Sequence, residues 1–135
     1  MIYLDTSALV KLIRIEAESA ALTRWLDSRT ESRWLTSSLT EVELPRALRA
    51  ACPEGLPAVP SVLTRLDRFE IDHVIRSTAA AYLNPGLRSL DAIHLATAQT
   101  AATITPLTAL ITYDTRLSEA ATDLGIPVAA PGAAA

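Results

Sequence analysis

The sequence predicts a doubly wound α/β fold, a central parallel twisted sheet of four to five short strands with helices on both faces. Three observations predict it. Short apolar, β-favouring runs alternate along the chain with longer segments whose apolar residues recur at helical spacing. The first run, Ile2-Tyr3-Leu4, has no polar alternation, which marks a strand covered on both faces. That run and Ala109–Tyr113 each end in an aspartate, Asp5 and Asp114, at the carboxyl end where an open α/β sheet keeps its ligand crevice.

Ile2–Leu4 is too short to be anything but a buried strand, and Thr6 or Ser7 can open a helix behind Asp5. Ala8, Leu9, Leu12 and Ile13 form one helical stripe, and Ala20, Ala21, Leu22, Trp25 and Leu26 form a second before the polar break from Asp27 to Ser32. Arg33–Ser37 reads as the second strand. Ser38-Leu39-Thr40-Glu41 has the capping-box pattern and predicts a helix reaching Ala51. Pro45 falls inside that helix, where it removes a backbone hydrogen bond and bends the axis. Pro53, Pro57 and Pro60 around Gly55 predict a loop within the domain, after which Val62, Leu63 and Leu66 restart a helix.

Phe69-Glu70-Ile71 is the expected third strand, followed by a helix from His73 to Leu83 and a turn at Asn84-Pro85-Gly86. Leu87–Ala98 is apolar nearly all round, so it is a helix buried on most faces, with Asp91 near its amino end. Ala109–Tyr113 is the next strand. Leu117, Ala120, Ala121 and Leu124 make the last helix, Gly125 stops it, and Ile126-Pro127-Val128 forms an edge strand.

A chain of 135 residues fits one domain, expected over residues 1–130, with a frayed tail at 131–135. Half the residues are hydrophobic and 20% are charged, which suits a packed core and not wholesale disorder. Twelve basic against fifteen acidic residues give a net charge of −3, so nucleic-acid binding must rest on local arginines or on bound cations. Cys52 is the single cysteine, which excludes an intramolecular disulfide and a cysteine zinc cage and suits a reducing cytoplasm, the expected location. No apolar run approaches the roughly twenty residues a membrane span needs. His73 and His94 are too far apart for an imidazole cluster, and four scattered glycines exclude a phosphate-cradling loop.

Four acids occupy comparable positions: Asp5 and Asp114 at strand ends, Glu43 in a helix after a strand, and Asp91 at the start of a buried helix. Each has an ordinary explanation. Asp5, Asp91 and Asp114 suit helix N-caps and Glu43 a solvated surface, but four together form a pattern. Glu41 and Glu43 point in nearly opposite directions on a helix, and Ala47 and Ala50 share the face of Glu43, leaving room above its carboxylate. If the four converge, two unit charges about 4 Å apart repel by about 4 kcal/mol at an effective dielectric of 20, so the site must bind protons or recruit a cation. An all-oxygen donor set suits Mg²⁺ or Mn²⁺, and metal-assisted phosphodiester hydrolysis is the reaction class that follows. His94, three residues after Asp91, shares its helix face but suits a hydrogen-bonded core position better than a base. Trp25, Trp34 and Tyr82 suit packing, and Arg46, Arg49, Arg88 and Arg116 are candidates for phosphate contacts.

Ile-Tyr-Leu-Asp5-Thr-Ser, Ser-Ser-Leu-Thr-Glu-Val-Glu43-Leu, Ser-Leu-Asp91-Ala-Ile-His-Leu-Ala-Thr-Ala and Ile-Thr-Tyr-Asp114-Thr-Arg-Leu together resemble a PIN domain, specifically a VapC-type toxin of a bacterial toxin–antitoxin pair. The resemblance covers nearly the whole chain in order and spacing, and the Asp91 segment is its most specific part. It implies a PIN-like fold and a Mg²⁺- or Mn²⁺-dependent ribonuclease with Asp5, Glu43, Asp91 and Asp114 lining one acidic pocket, Asp5 and Asp91 being the main metal ligands. Thr112 matches a small polar position that shapes the pocket in this family. Thr6, Arg116 and His94 are the further residues expected to support the acids or meet substrate. A homodimer and a VapB-like antitoxin that wraps helices near the active site are also implied. Pro45, just after Glu43, departs from the family pattern.

Two rival readings belong beside this one. A haloacid-dehalogenase-like phosphatase also begins with an apolar strand and an Asp, but needs a second Asp where this chain has Ser7. A catalytically silent PIN-like binding module is opposed by all four acids being intact.

Overall fold

The computed structural model describes residues 1–134, and these form one α/β layer structure. Its strands are β1 (Ile2–Leu4), β2 (Trp34–Ser37), β3 (Leu66–Phe69), β4 (Ala109–Ile111) and β5 (Val128–Ala129). The helices are α1 (Thr6–Ile13), α2 (Ser19–Asp27), α3 (Thr40–Ala51), α4 (Val59–Thr64), α5 (His73–Ala81), α6 (Ser89–Ala102) and α7 (Thr115–Asp123), with a 3-10 segment at Pro53–Ala58. The strands run in the order β3-β2-β1-β4-β5, all pairs parallel. The expected doubly wound sheet is therefore present, with β1 at its centre.

Period-two alternation on β1 divides the core. Ile2 and Leu4 pack with Leu9, Leu22, Leu44 and Leu48 on one face, while Tyr3 packs with Leu35, Leu95, Leu110 and Leu117 on the other. All three β1 residues are fully buried, and burying each apolar side chain stabilises the fold by about 1.5–3 kcal/mol. Helix α6 is buried along most of its length, as an all-round apolar helix must be. Gly125, at φ +75°, follows α7 in the left-handed conformation, and Ile126 N–H donates back to Ala121 O at 3.0 Å, closing a Schellman stop.

Several boundaries differ from expectation. The third strand begins at Leu66 and ends at Phe69, because Leu66 pairs with Trp34 and Phe69 with Ser37. The proline-rich stretch forms the 3-10 segment and α4, since prolines fit the first turn of a helix. No capping box forms at α3. Leu39 occupies the cap position without a side-chain bond, Thr40 bonds Thr36 at 2.8 Å, and Glu41 pairs with Arg68 at 3.2 Å. The tail expected to fray is tied down at its start: Tyr113 donates its hydroxyl to Pro131 O at 2.8 Å, and a Cβ on Gly132 would stand 2.8 Å from the Ala21 Cβ. Ala135, the last residue of that expected tail, lies outside the described residues.

Candidate active site

Register brings the acids together. In the central sheet the chain order reverses around β1, whose neighbours are β2 and β4, and ligand crevices form at such a switch point outside the carboxyl ends of the strands. Leu4 pairs with Ile111, so Asp5 and Thr112 leave the sheet side by side. Asp5 is 4% exposed and is the N-cap of α1. Its Oδ1 accepts from Ser7 Oγ at 2.6 Å and Ala8 N–H at 3.0 Å, and its Oδ2 accepts from Thr112 Oγ1 at 2.5 Å. Burial raises the Asp5 carboxyl above its usual range, against the lowering influence of the His94 charge and of these three donors.

Thr112 Oγ1 also accepts from Asp114 N–H at 3.1 Å, so one hydroxyl joins the first acid to the last. Asp114 is the N-cap of α7, its Oδ1 accepting from Leu117 N–H at 3.0 Å. Asp91 stands half-buried in the first turn of α6. Burial, the charge of Asp114 and more weakly that of Asp5 raise its carboxyl, while His94 and Arg88 oppose the rise. The charges of Asp114 and Asp5 thus both reach Asp91.

Glu43 enters from the first turn of α3. Its Oε1 accepts from Thr6 Oγ1 at 2.7 Å and from His94 Nε2 at 2.6 Å. Burial pushes its carboxyl up, but the hydrogen bond and charge of His94, with Thr6, outweigh that and hold it below the usual range. Glu43 and Thr6 also line an open hollow of about 400 Å³ with Leu39, Val42, Arg46, Ala47 and Leu90. His94 is 3% exposed, and its Nδ1 lies 2.7 Å from the Tyr3 hydroxyl. It is the hydrogen-bonded core group its sequence setting suggests.

Of the residues expected to support the acids, Thr6, Thr112 and His94 do contact them. Arg116 does not: it is exposed on α7 and lines a separate hollow with Asn84, Pro85 and Leu87. Of the arginines named for phosphate contact, Arg46 lies beside Glu43 and Arg88 acts on Asp91. Sequence reasoning missed Tyr3 and Ser7. The signal for Tyr3 was available in the strand period, which turns it toward the face that α6 covers. Ser7 shows only as an Asp-x-Ser spacing, and its second bond, accepting from Tyr113 N–H at 3.0 Å, spans 106 positions.

Among the described residues, no three His, Cys, Asp or Glu side chains are gathered into a metal-binding group. None of Asp5, Asp91 and Asp114 has a Lys or Arg ion pair among those residues either. An all-oxygen donor set of surplus negative charge has the chemistry that a hard divalent cation satisfies.

Comparison with known proteins agrees with the fold. The profile of the PIN domain matches residues 2–123. Ribonuclease VapC35 of Mycobacterium tuberculosis is 77% identical over 134 residues, 99% of each chain. Among solved structures, the Mycobacterium tuberculosis toxin VapC20, which cleaves the sarcin–ricin loop, superposes with a TM-score of 0.73 at 17% identity over 89% of this chain and 95% of that one. A toxin–antitoxin complex from Klebsiella pneumoniae does so with a TM-score of 0.70 at 22% identity, over 97% and 98% of the two chains. At those identities the structures show a shared fold, whereas the near-full-length identity shows descent. The chain belongs to the PIN-domain family and, within it, to the VapC proteins.

Proposed function

We propose that this chain is a Mg²⁺- or Mn²⁺-dependent endoribonuclease, the toxin of a toxin–antitoxin pair, hydrolysing RNA phosphodiester bonds in the cytoplasm. The observation that carries this reading is the link from Asp5 to Asp114 through Thr112 at the sheet's switch point, with Asp91 near enough for both charges to raise its carboxyl. Support for the substrate and the partner comes from the name of the 77% identical relative, a ribonuclease, and from the toxin–antitoxin complex that shares the fold. The single domain over 1–130, a homodimer and a VapB-like antitoxin belong to the same reading.

Asp5, Glu43, Asp91 and Asp114 are the residues that would hold the cation. When bound, it supplies a Lewis acid for the phosphodiester oxygen and lowers the pKa of water. The residues of the chain do the rest. Asp5, buried and bonded through both oxygens, is a fixed negative charge that cannot swing away. Asp91, half-buried in the first turn of α6 and within reach of the charges of Asp114 and Asp5, would be the second main carboxylate on the cation. Arg46 and Arg88, at the borders of the acids, can meet neighbouring phosphates and hold the strand in register.

The test is cleavage of total RNA by the purified chain. Activity is expected with Mg²⁺ or Mn²⁺ and absent in EDTA, and Asp5→Asn and Asp91→Asn should each abolish it while circular dichroism stays native. Equal cleavage in EDTA, or by either variant, contradicts the mechanism.

A further inference from the structure

The Glu43 carboxylate is gripped by one oxygen only. Oε1 accepts from both Thr6 and His94, and no hydrogen bond reaches Oε2 among the described residues. Two donors on one oxygen fix the rotation of the carboxylate and leave the other oxygen its full acceptor capacity. An ionised carboxylate has no hydrogen to give, so in its bond to Glu43 the hydrogen sits on His94 Nε2.

His94 is held in turn. The Tyr3 ring meets it edge-on, with centroids 5.9 Å apart and planes at 80°, and the Tyr3 hydroxyl occupies Nδ1. Burial keeps that hydroxyl protonated, and the hydroxyls of Thr36 and Thr97 lie against it. Tyr3 is 0% exposed and His94 3% exposed, so neither can touch RNA. Their hydrogen-bonded route to the acids is Glu43, although the charge of His94 also reaches Asp5 and Asp91.

We propose that Tyr3 and His94 are a positioning pair that acts on Glu43, holding Oε1 so that Oε2 is the oxygen presented to the acidic crevice. The proposal rests on the metal-site reading above. A glutamate side chain has three rotatable bonds, and without the pair it would have to be ordered anew each time a cation enters. Partners of this kind orient metal-binding groups in many sites, and their loss costs about 10–100-fold in metal affinity or activity.

The experiment uses the full chain and four proteins: wild type, Tyr3→Phe, His94→Gln and His94→Leu. Calorimetric titration with Mn²⁺ gives an affinity independent of catalysis, RNA cleavage at saturating Mn²⁺ gives kcat and KM, and thermal melts report folding. His94→Leu should weaken Mn²⁺ binding and lower kcat, each by about tenfold or more, with KM unchanged. The glutamine amide N–H can reach the same oxygen, so His94→Gln should recover most of both. Tyr3→Phe, which removes one oxygen atom and leaves the ring, should fall between. Folded His94→Leu protein with wild-type Mn²⁺ affinity and kcat overturns the proposal, as does folded His94→Gln protein no better than His94→Leu. If His94→Leu does not fold, Tyr3→Phe decides: Mn²⁺ affinity and kcat equal to wild type overturn it. Wild-type protein that binds no Mn²⁺ overturns the metal-site reading itself, and the proposal with it.

Discussion

One carboxylate, that of Asp5, caps a helix and is also the acid proposed for the active site. The sequence poses these as alternatives, yet capping uses only part of what the group offers. Oδ1 takes Ala8 N–H and Ser7, and Oδ2 takes Thr112, whose own oxygen receives Asp114 N–H. Thr112 is therefore the joint between two acids. Thr112→Val, equal in volume but without the hydroxyl, should lower cleavage about 10–100-fold and destabilise by about 1–3 kcal/mol, because a buried charged acceptor loses its donor. Thr112→Ser should restore the rate, and kinetics with urea unfolding of both variants check it. Asp91 gives the opposite sign for stability. Burial and the charges of Asp114 and Asp5 raise its folded carboxyl above the unfolded value, so its ionised form strains the native state at neutral pH. Asp91→Asn should abolish cleavage yet raise the thermal midpoint, by less than about 1 kcal/mol of stability because the group is half-exposed and water screens the repulsion. The acids could be named as candidates from the sequence because their type and their places, after strands or at the start of a buried helix, carry meaning alone. For Tyr3 the strand period gave its face, but not its partner, since His94 lies 91 positions away and both residues look like core in isolation.

At the scale of elements, sequence reading succeeded where one physical signal dominated and slipped where two competed. Buried strands β1 and β4 and the all-apolar α6 followed from hydrophobicity alone. The third strand slipped by three residues because Leu66 fits both the preceding helical stripe and a strand, and only pairing with Trp34 decides between them. Ser38 and Glu41 had the spacing of a capping box, but the backbone enters α3 already helical at Leu39, so Ser38 never reaches the cap position. Glu41 turns instead to Arg68 across the surface, a pair worth about 0–1 kcal/mol. Pro45 is tolerated inside α3, which runs unbroken from Thr40 to Ala51. It leaves Glu41 O without its helical donor. Glu43 keeps its place because Thr6 and His94 hold it from outside the helix. Pro45→Ala should therefore restore that bond and stabilise the fold by about 1–3 kcal/mol in urea unfolding, with the cleavage rate unchanged. A large loss of cleavage would mean that the proline, and not the two side chains, aims the carboxylate.

At the scale of the whole molecule, the fold places Asp5, Asp91 and Asp114 at one end of its sheet with no Lys or Arg ion pair among the described residues. The titration behaviour of the site follows from that. Asp5 and Asp91, raised in the folded state, contribute stability that is present below their unfolded value of 3.8 and lost as pH rises through their folded values. Glu43, lowered by His94 and Thr6 despite its burial, behaves in the opposite sense. Its contribution is present above the unfolded value of 4.5 and lost as pH falls through the folded one. At neutral pH the two aspartates therefore hold the native state below its best stability, and a bound divalent cation is the agent that would relieve them. A ligand that binds only the native state adds about 2.7 kcal/mol at a hundred times its Kd. Mn²⁺ should accordingly raise the thermal midpoint of the wild-type chain at pH 7. Binding must displace protons from Asp5 and Asp91, so the increment should shrink as pH falls toward their raised titration range, before an ordinary aspartate would respond. Asp91→Asn starts from a higher midpoint and should lose most of the increment, whereas Pro45→Ala should keep all of it. Melting curves with and without Mn²⁺ across that pH range separate the possibilities. An increment independent of pH and equal in Asp91→Asn would place the cation elsewhere on the molecule.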